Sequence, residues 1–445
     1  MTSKLSRRRF LVGSAAVAVV AAAGGPLAIR ALGADPKGLG ERLAPPGKLG
    51  VQQFSIRDAI TRRSIANSVA NNLTPTRGYL GGPNFPADPT DLGRLVDLPG
   101  GFNEVFAYLA SIGYSGFEFF QFNQNINELG RQPTITEIRG YLDAAGLAAQ
   151  GTHTAGVAQM YDVATGGIST GGQNTINNAL ILGMPMVGTA GDPSGRATLS
   201  DNPTNPNQIG WAEAARRANI IGAATAAVGL KWYWHVEQNG YQFITDPAYP
   251  ELAQTHRWEW FAANTDPSLI HFEPDIFHGY AGRARFPDPV DGHLVDLFGW
   301  WKSNYHRLVA WHVKDGTRLV PPPINPTANP FTQVVVRPPV FTPGGLANND
   351  ALYTGEGSIG KGYPVDPDPG VVGFKRIFDD VGAKGSRLYI VESDNAIGPA
   401  SDPGRSLRHA KLGAEYMLGL RAGPDTHAFG AASDEETVYE GDTVE

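Results

Sequence analysis

The chain has 445 residues, of which 42% are hydrophobic and 18% are charged, a balance typical of a folded globular protein and not of a disordered or fibrous chain. It contains no cysteine, which excludes disulfide scaffolds, thiolate metal sites and cysteine nucleophiles, so a metal ion would have to be bound by nitrogen and oxygen atoms. The net charge of -7 at pH 7 disfavours a partner with a phosphate backbone, and nucleic acid is therefore not an expected ligand.

Residues 1–34 resemble a twin-arginine export signal. Ser6 to Leu11 has the twin-arginine pattern, and an apolar run rich in alanine and glycine follows as far as Gly25. That run is shorter than the roughly 20 residues of a membrane-spanning helix, so we expect an export signal and no stable membrane span after processing. Cleavage near residues 31–34 would leave 31 basic against 43 acidic residues, a net charge of -12. The predicted location is periplasmic or extracellular, with a membrane tether if the signal stays uncleaved.

Beyond this segment, short apolar runs alternate with longer amphipathic stretches, which predicts parallel strands joined by helices. The predicted strands are Leu49 to Ser55, Gly116 to Phe120, Ala148 to His153, Met186 to Ala190, Leu230 to Glu237, Leu269 to Asp275, Leu308 to Val313 and Leu388 to Glu392. The predicted helices are Phe102 to Ile112, Thr136 to Ala145, Thr175 to Leu182, Trp211 to Val228, Thr255 to Asn264, Pro289 to Asn304, Val371 to Val381 and Ser406 to Leu420. Eight such units predict an α/β fold, a (β/α)8 TIM barrel over residues 45–420, and no Gly-x-Gly-x-x-Gly follows the first strand to favour a dinucleotide-binding sheet.

Glycines mark the ends of several predicted helices, and two long insertions follow predicted strands. Gly113, Gly146, Gly183 and Gly229 each follow a predicted helix, where glycine suits a left-handed cap. Residues 59–100 and 316–370 interrupt the alternation after the first and seventh strands, and we expect these long strand-to-helix loops to form a rim or lid over the active-site face. Residues 421–445 are acidic with little apolar content and are predicted to be a disordered tail.

Polar residues end most of the predicted strands. They are Glu118 on the second strand, His153 on the third, His235 and Glu237 on the fifth, Asp275 on the sixth, His312 with Lys314 and Asp315 on the seventh, and Glu392 with Asp394 on the eighth. A single such residue is ordinary, but four consecutive strands ending this way predict a site for a divalent metal ion, Mn2+, Mg2+, Co2+ or Zn2+. His235 and Glu237 are two residues apart and point the same way, so either is a candidate ligand.

Five segments together resemble the xylose isomerase-like TIM barrel superfamily, and specifically its sugar phosphate isomerase/epimerase branch. They are Leu49 to Asp58, Asp275 with Ala281 and Gly282, His312 to Asp315, Gly355 to Gly357, and Ile390 to Asp394, within a similarity that spans about residues 48 to 420. The resemblance implies that His235 or Glu237, Asp275, His312 and Glu392 hold the metal. The chain departs from the family at Tyr233 to Glu237, where many relatives have a Tyr-His-Asn-His-like run.

The resemblance also implies a metal-dependent isomerase or epimerase that acts on a free sugar or keto-sugar through an enediolate. Glu392 and Glu237 are the expected acid/base pair, and His153 and Lys314 are expected to stabilise negative charge developing on oxygen. For Lys314 the alternative is a buried salt bridge with Asp315 or Glu392. The neighbouring aromatic residues, Trp232, Tyr233 and Trp234, are candidates for stacking on a sugar or for core packing.

Three other functions are compatible with the sequence to different degrees. A metal-dependent lyase or dehydratase acting on a keto-sugar, keto-inositol or glycoside derivative becomes the better model if Glu237 points away from the site. An endonuclease IV-like nuclease is disfavoured by the charge of -12, and a non-catalytic secreted carbohydrate-binding barrel is disfavoured by the complete set of ligand types. The expected partners are a small sugar-like substrate and the twin-arginine export machinery, and a homo-oligomer is left open.

Overall fold

The structure is a computed structural model that describes residues 41–62, 98–122, 131–205, 208–286, 295–314, 374–381, 387–393 and 404–420, together with residues 288, 290 and 396. The chain divides into two compact units after Leu39, and all the described residues belong to the second. The predicted signal, most of the two insertions and the acidic tail lie outside the described residues, as do Asp315, Gly355 to Gly357 and Asp394.

Eight parallel strands form the centre of the fold. They are β1 (Leu49–Gln52), β2 (Gly116–Phe119), β3 (Ala148–Thr152), β4 (Met186–Thr189), β5 (Lys231–Val236), β6 (Ile270–Pro274), β7 (Ala310–Val313) and β8 (Leu388–Val391). Each lies within a predicted strand and is shorter by one to three residues; Glu237, Asp275 and Glu392 are polar ends that lie just beyond the hydrogen-bonded ladder. Nearly every strand residue is buried, as expected for strands covered on both faces.

The strands follow one another around a closed ring. One sheet has the order β3-β2-β1-β8-β7 and a second has the order β4-β5-β6, with all neighbours parallel. Parallel bridges from Phe272 to Leu308 and from Asp275 to His312 join β6 to β7. On the other side, β3 packs beside β4, and the Ala155 amide just beyond β3 donates to the Gly188 carbonyl at 2.7 Å. The predicted (β/α)8 TIM barrel is therefore confirmed.

Helices cover the outside of this ring. They are α1 (Gly101–Ser111), α2 (Ile135–Ala145), α3 (Val157–Met160), α4 (Thr170–Leu182), α5 (Trp211–Ala226), α6 (Arg257–Ala263), α7 (Ile276–Arg285), α8 (Leu297–Ser303), α9 (Phe374–Asp380) and α10 (Arg405–Met417). Short 3-10 helices occupy Gln53–Ile56, Gln238–Tyr241, Pro250–Leu252 and Tyr305–Arg307. All four predicted glycine caps have positive φ, from 69° at Gly183 to 105° at Gly113. Within the described residues, no helix has both the length and the apolar composition needed to cross a membrane.

Helix α3 is a single turn that was not predicted. Three longer helical segments also differ from the sequence prediction. Helix α7 was not predicted; it begins directly after Asp275, whose side chain caps it by accepting a hydrogen bond from the His278 amide at 2.9 Å. Helix α4 begins at Thr170, five residues before the predicted start, because the Ser169 hydroxyl caps the Gly172 amide. Helix α8 begins only at Leu297, where Asp296 accepts from the Gly299 amide. In each case a capping side chain sets the helix start.

Alternation along the strands separates two cores. Trp232, Trp234 and Val236 of β5 face the covering helices and belong to the large outer core. The barrel interior holds a smaller apolar cluster composed of Met186, Tyr233, Val309, Ala310 and Ile390. His235, His312 and Glu392 each lie two residues beyond a member of this small cluster, so they point the same way and stand above it towards the carboxyl ends of the strands. The apolar cluster therefore forms the floor of a buried polar layer.

Candidate active site

Four strands bring a first group of ligand-type side chains together. We call His235, Asp275, His312 and Glu392 the outer donor set; they come from β5, from the residue after β6, from β7 and from the residue after β8. One ligand atom from each lies within 4.8 Å of the others, and all four side chains are buried. His312 Nδ1 lies 2.9 Å from Glu392 Oε2, and His235 Nε2 lies 3.9 Å from Asp275 Oδ2. These are four of the residues that the sequence predicts as metal ligands.

A second group lies deeper in the barrel. We call His153, His235, Glu273 and His312 the inner donor set; one ligand atom from each again lies within 4.8 Å of the others. Three imidazole nitrogens surround the single carboxylate oxygen Glu273 Oε2: His153 Nε2 at 3.1 Å, His312 Nε2 at 3.2 Å and His235 Nδ1 at 3.3 Å. Glu273 precedes Asp275 by two residues on the same strand, so it points into the barrel roughly 7 Å nearer the amino end.

Glu118 of β2 supports the inner donor set from below. Its Oε2 atom lies 2.7 Å from His312 Nε2 and 3.3 Å from His153 Nε2. Its Oε1 atom accepts a hydrogen bond of 2.6 Å from the Tyr233 hydroxyl. The carboxylate is buried and fully engaged, and so it orients the two imidazoles rather than facing a substrate.

Opposite charges set the protonation of this layer. Burial opposes a charge on His153, but the carboxylates of Glu118 and Glu273 outweigh burial and raise the pKa of His153 to about 10. In the same way, the pKa of His312 is raised well above its usual range against burial, chiefly by Glu273 and Glu392. Burial alone would raise the pKa of Glu273, yet His312 and His153 lower it to about 2.

His235 differs from the two imidazoles beside it. Burial first, and then repulsion from His312 and His153, lower the pKa of His235 well below its usual value. Its ring stacks on that of His153 with centroids 4.8 Å apart, and is tilted by 50° to the ring of His312 with centroids 4.1 Å apart. His235 is therefore a neutral imidazole, which is the form that binds a metal ion.

Lys314 joins two acids of the outer donor set. It is buried just beyond β7, and its ammonium lies 2.9 Å from Glu392 Oε2 and 3.1 Å from Asp275 Oδ2. The Lys314 ammonium and His312 together hold the pKa of Glu392 well below its usual range, although burial acts in the other direction. The buried salt bridge anticipated as the alternative for Lys314 is thus present with Glu392, and Lys314 also lies 3.3 Å from His278 Nε2.

Glu237 stands apart from both donor sets. Its side chain is 37% exposed, and its Oε1 lies 3.9 Å from His235 Nε2. Of the two predicted strand-five ligands, the structure brings His235 into the donor sets and leaves Glu237 at their outer edge, facing solvent.

The aromatic residues of β5 are all buried. Trp232 donates from its indole to the Ala155 carbonyl at 2.9 Å, and Trp234 packs against Trp211 and Phe261. Tyr233 lies inside the barrel beneath the donor sets. These three side chains are used for core packing and for orienting Glu118, so a stacking surface for a sugar is not among their roles.

The sequence prediction missed Glu273 and His278. Glu273 lies in the middle of an apolar strand, two residues before Asp275, and the period of two that places both on one face was the available signal. His278 lies three residues beyond Asp275, one helical turn away, and its Nε2 is 3.9 Å from Asp275 Oδ2. The spacing of three residues places His278 beside Asp275 only if the segment is helical, so His278 could be found only by predicting helix α7.

The donor chemistry fits a divalent cation. Among the described residues, His235 Nδ1 and Glu273 Oε1 are buried polar atoms without a hydrogen-bond partner, and a buried polar atom of this kind is costly unless a ligand satisfies it. Imidazole and carboxylate are the donors that Zn2+, Co2+ and Mn2+ accept, and no thiolate is present. The carboxylates around His153 and His312 stabilise the protonated, positively charged form of both imidazoles. A bound cation would take the place of that positive charge.

Comparison with known proteins finds no matching family model and no matching curated protein. Among solved structures, the chain is similar to a sugar phosphate isomerase/epimerase from Parabacteroides distasonis, with 15% identity over 86% of this chain and 98% of that one and a TM-score of 0.46. It is also similar to an L-ribulose 3-epimerase (12% identity, 84% and 94% of the two chains, TM-score 0.41) and to a probable 3-DHS dehydratase from Bacillus anthracis (11% identity, 83% and 97%, TM-score 0.41). All three likenesses are distant, with identities of 11 to 15%.

Proposed function

We propose that the protein is a metal-dependent isomerase or epimerase acting on a free sugar or keto-sugar. The observation that carries the proposal is the outer donor set, in which two imidazoles and two carboxylates converge at the carboxyl ends of four consecutive barrel strands, beside the buried ammonium of Lys314. That end of a TIM barrel is where substrates bind. A small polar molecule with adjacent carbonyl and hydroxyl oxygens suits such a site.

His235, Asp275, His312 and Glu392 would hold the cation. When bound, it supplies a Lewis acid that polarises a carbonyl and an adjacent hydroxyl of the substrate. Lys314 adds a fixed positive charge next to Asp275 and Glu392, where it stabilises negative charge on a substrate oxygen. Its two salt bridges keep the ammonium in position before substrate arrives.

Glu237 is the better placed of the two expected acid/base residues. Glu392 is engaged by Lys314 and His312, which stabilise its ionised form and make it a weak base. The Glu237 side chain is partly exposed and its Oε1 lies 3.9 Å from His235 Nε2, so it can reach a substrate entering from the mouth of the barrel. We propose that Glu237 removes the proton from the carbon next to the carbonyl. In an isomerisation Glu237 returns this proton to the former carbonyl carbon while the hydroxyl proton moves from one enediolate oxygen to the other; in an epimerisation a proton from water is added to the opposite face of the same carbon.

A lyase that eliminates water from a keto-sugar, a keto-inositol or a glycoside derivative is the second candidate. The observation that favours it is the position of Glu237 outside the two donor sets, because one base suffices for elimination whereas epimerisation needs a proton donor on the opposite face. The similar solved structures include both an epimerase and a probable dehydratase, so they do not choose between the reactions.

Proton exchange in deuterium oxide separates the two reactions. The protein, stripped with a chelator and reloaded with Mn2+, is incubated with free aldoses, ketoses and keto-sugars, and the products are followed by NMR and mass spectrometry. An isomerase or epimerase gives a product of unchanged formula with deuterium next to the carbonyl, whereas a lyase gives a product lighter by one water. Metal bound without either change, across the whole panel, would count against both proposals.

Two variants assign the roles. Glu237→Gln should lower exchange by roughly 100-fold while the bound metal stays at the wild-type level, because it removes only the base. Asp275→Asn should lose both metal and exchange. A Glu237→Gln protein with wild-type exchange would transfer the role of base to another residue.

We also propose that the protein acts outside the cytoplasm after twin-arginine export, on the pattern of Ser6 to Leu11. Fractionation of cells producing the protein, beside an Arg7→Lys/Arg8→Lys variant, tests this. Wild type in the exported fraction and the variant in the cytoplasm would support export; equal distribution of both would contradict it.

A further inference from the structure

We infer that the inner donor set is a second cation site, selective for Zn2+, and that it and the outer donor set are filled one at a time. The inner donor set offers three imidazoles and one carboxylate, whereas the outer offers two of each. More nitrogen and fewer charged oxygens favour Zn2+ over Mn2+ or Mg2+. Metal selectivity is thus built into two overlapping layers of one barrel.

The spacing of the inner donor set is that of a closed coordination shell. Glu273 Oε2 lies 3.1 to 3.3 Å from one nitrogen of each imidazole. In a tetrahedral zinc site with bonds of about 2.1 Å, neighbouring ligand atoms are about 3.4 Å apart. Two buried atoms of this set, His235 Nδ1 and Glu273 Oε1, are among the polar atoms that lack a hydrogen bond within the described residues, as is Asp275 Oδ2 of the outer donor set. The donors are therefore already near their binding positions.

The two donor sets use opposite nitrogens of the same two rings. His312 presents Nε2 to Glu273 at 3.2 Å and Nδ1 to Glu392 at 2.9 Å. His235 presents Nδ1 to Glu273 at 3.3 Å and Nε2 to Asp275 at 3.9 Å. A neutral imidazole has one free lone pair and carries its proton on the other nitrogen. Filling both sets together would require both rings to lose that proton, and so occupancy is exclusive.

Whichever set is filled, a carboxylate outside it can accept a hydrogen bond from the second nitrogen of His312. With the inner set filled, the Nδ1 proton of His312 faces Glu392. With the outer set filled, the Nε2 proton of His312 faces Glu118 at 2.7 Å. A metal-binding imidazole normally donates its other N–H to a carboxylate, and this arrangement supplies one in either state. The position of one proton on His312 therefore reports which set holds the cation.

Binding measurements on the full chain test the inference without any substrate. Chelator-stripped protein is dialysed against ZnCl2, MnCl2 or both, and bound metal is measured by elemental analysis. We expect one cation per chain in every case, with Zn2+ displacing Mn2+. Glu273→Gln and His153→Asn should weaken Zn2+ binding at least tenfold and Mn2+ binding less than threefold, whereas Asp275→Asn should do the reverse.

Two results would overturn the inference. Zn2+ and Mn2+ bound together at two cations per chain would refute exclusive filling, and equal losses of both metals in the Glu273 and His153 variants would refute a separate inner site. Because a buried substitution can unfold the protein, circular dichroism of each stripped variant is recorded first, and His153→Asn stands in if Glu273→Gln is unfolded.

Nitrogen-15 NMR is the independent readout: the His312 proton should be on Nδ1 with Zn2+ and on Nε2 with Mg2+, and the same tautomer with both would also overturn the inference.

Discussion

Gly188 of β4 lies where the barrel interior has no room for a side chain. A Cβ atom there would lie 2.5 Å from ring atoms of Tyr233, whose hydroxyl is held by Glu118. The ring cannot move away without breaking that hydrogen bond, and the Gly188 carbonyl is held by the Ala155 amide. We expect Gly188→Ala to lower the free energy of unfolding by roughly 1 to 3 kcal/mol, measured by chemical denaturation.

Gly140 supplies the matched control for that substitution. It is exposed on α2, and a Cβ atom would meet nothing within 4 Å. Gly140→Ala should raise the free energy of unfolding by about 0.5 to 1 kcal/mol through helix propensity. Equal denaturation midpoints for Gly188→Ala and wild type would mean that Tyr233 is free to repack.

His271 makes stability depend on pH. Burial, followed by repulsion from Lys231, lowers the pKa of His271 from 6.5 to about 4. Between pH 4 and pH 6.5 the unfolded chain binds this proton and the native protein does not, so the free energy of unfolding falls as the pH falls from 6.5 to about 4 and is unaffected by His271 above 6.5. His271→Gln should flatten this part of a stability profile measured by urea denaturation. The exposed His306→Gln is the control, and an unchanged slope in His271→Gln would contradict the assignment.

At the scale of an element, α2 is fixed by its first turn. The Thr134 hydroxyl accepts from the Glu137 amide, and the Glu137 carboxylate accepts from the Thr134 amide at 2.7 Å, so two otherwise unpaired helix amides are satisfied together. Thr134→Ala should cost about 1 kcal/mol of unfolding free energy. Thr136→Ala makes the same chemical change two residues later, at an exposed helical position, and should cost nothing. Equal losses in both variants, measured by thermal unfolding, would count against the capping box.

The strands were predictable from sequence because parallel strands covered on both faces are continuous apolar runs, and their polar ends marked most of the candidate site. His235, Asp275, His312 and Glu392 were found in this way. Glu273 was not found, because it lies inside an apolar run. From one sequence, a charged residue in such a run can be either a buried ligand or the end of the strand. Helix α7 was missed because Asp275 acts both as a strand end and as a helix cap.

At the scale of the whole molecule, the ring of strands lacks a continuous ladder at two junctions, between β3 and β4 and between β6 and β7. Strands β6 and β7 are joined by isolated bridges, including the hydrogen bond of 3.0 Å from the Val309 amide to the Phe272 carbonyl, whereas each pairs along its length with its other neighbour. Both donor sets cross this junction, since Glu273 and Asp275 lie on its β6 side and His312 on its β7 side. A bound cation would therefore join the two parts of the barrel.

Removal of the metal should consequently loosen this junction more than the rest of the barrel. A cation present at 100 times its dissociation constant stabilises the native state by about 2.7 kcal/mol, equivalent to roughly 100-fold slower opening at the sites it closes. Hydrogen exchange followed by mass spectrometry, with Mn2+ and after chelation, should show faster exchange in peptides covering residues 270–275 and 308–314, and little change in peptides covering β1 and β2. A uniform increase across all four strands would show that the cation stabilises the barrel globally and that the junction is not its weak point, because a local tie protects only the amides whose opening it blocks.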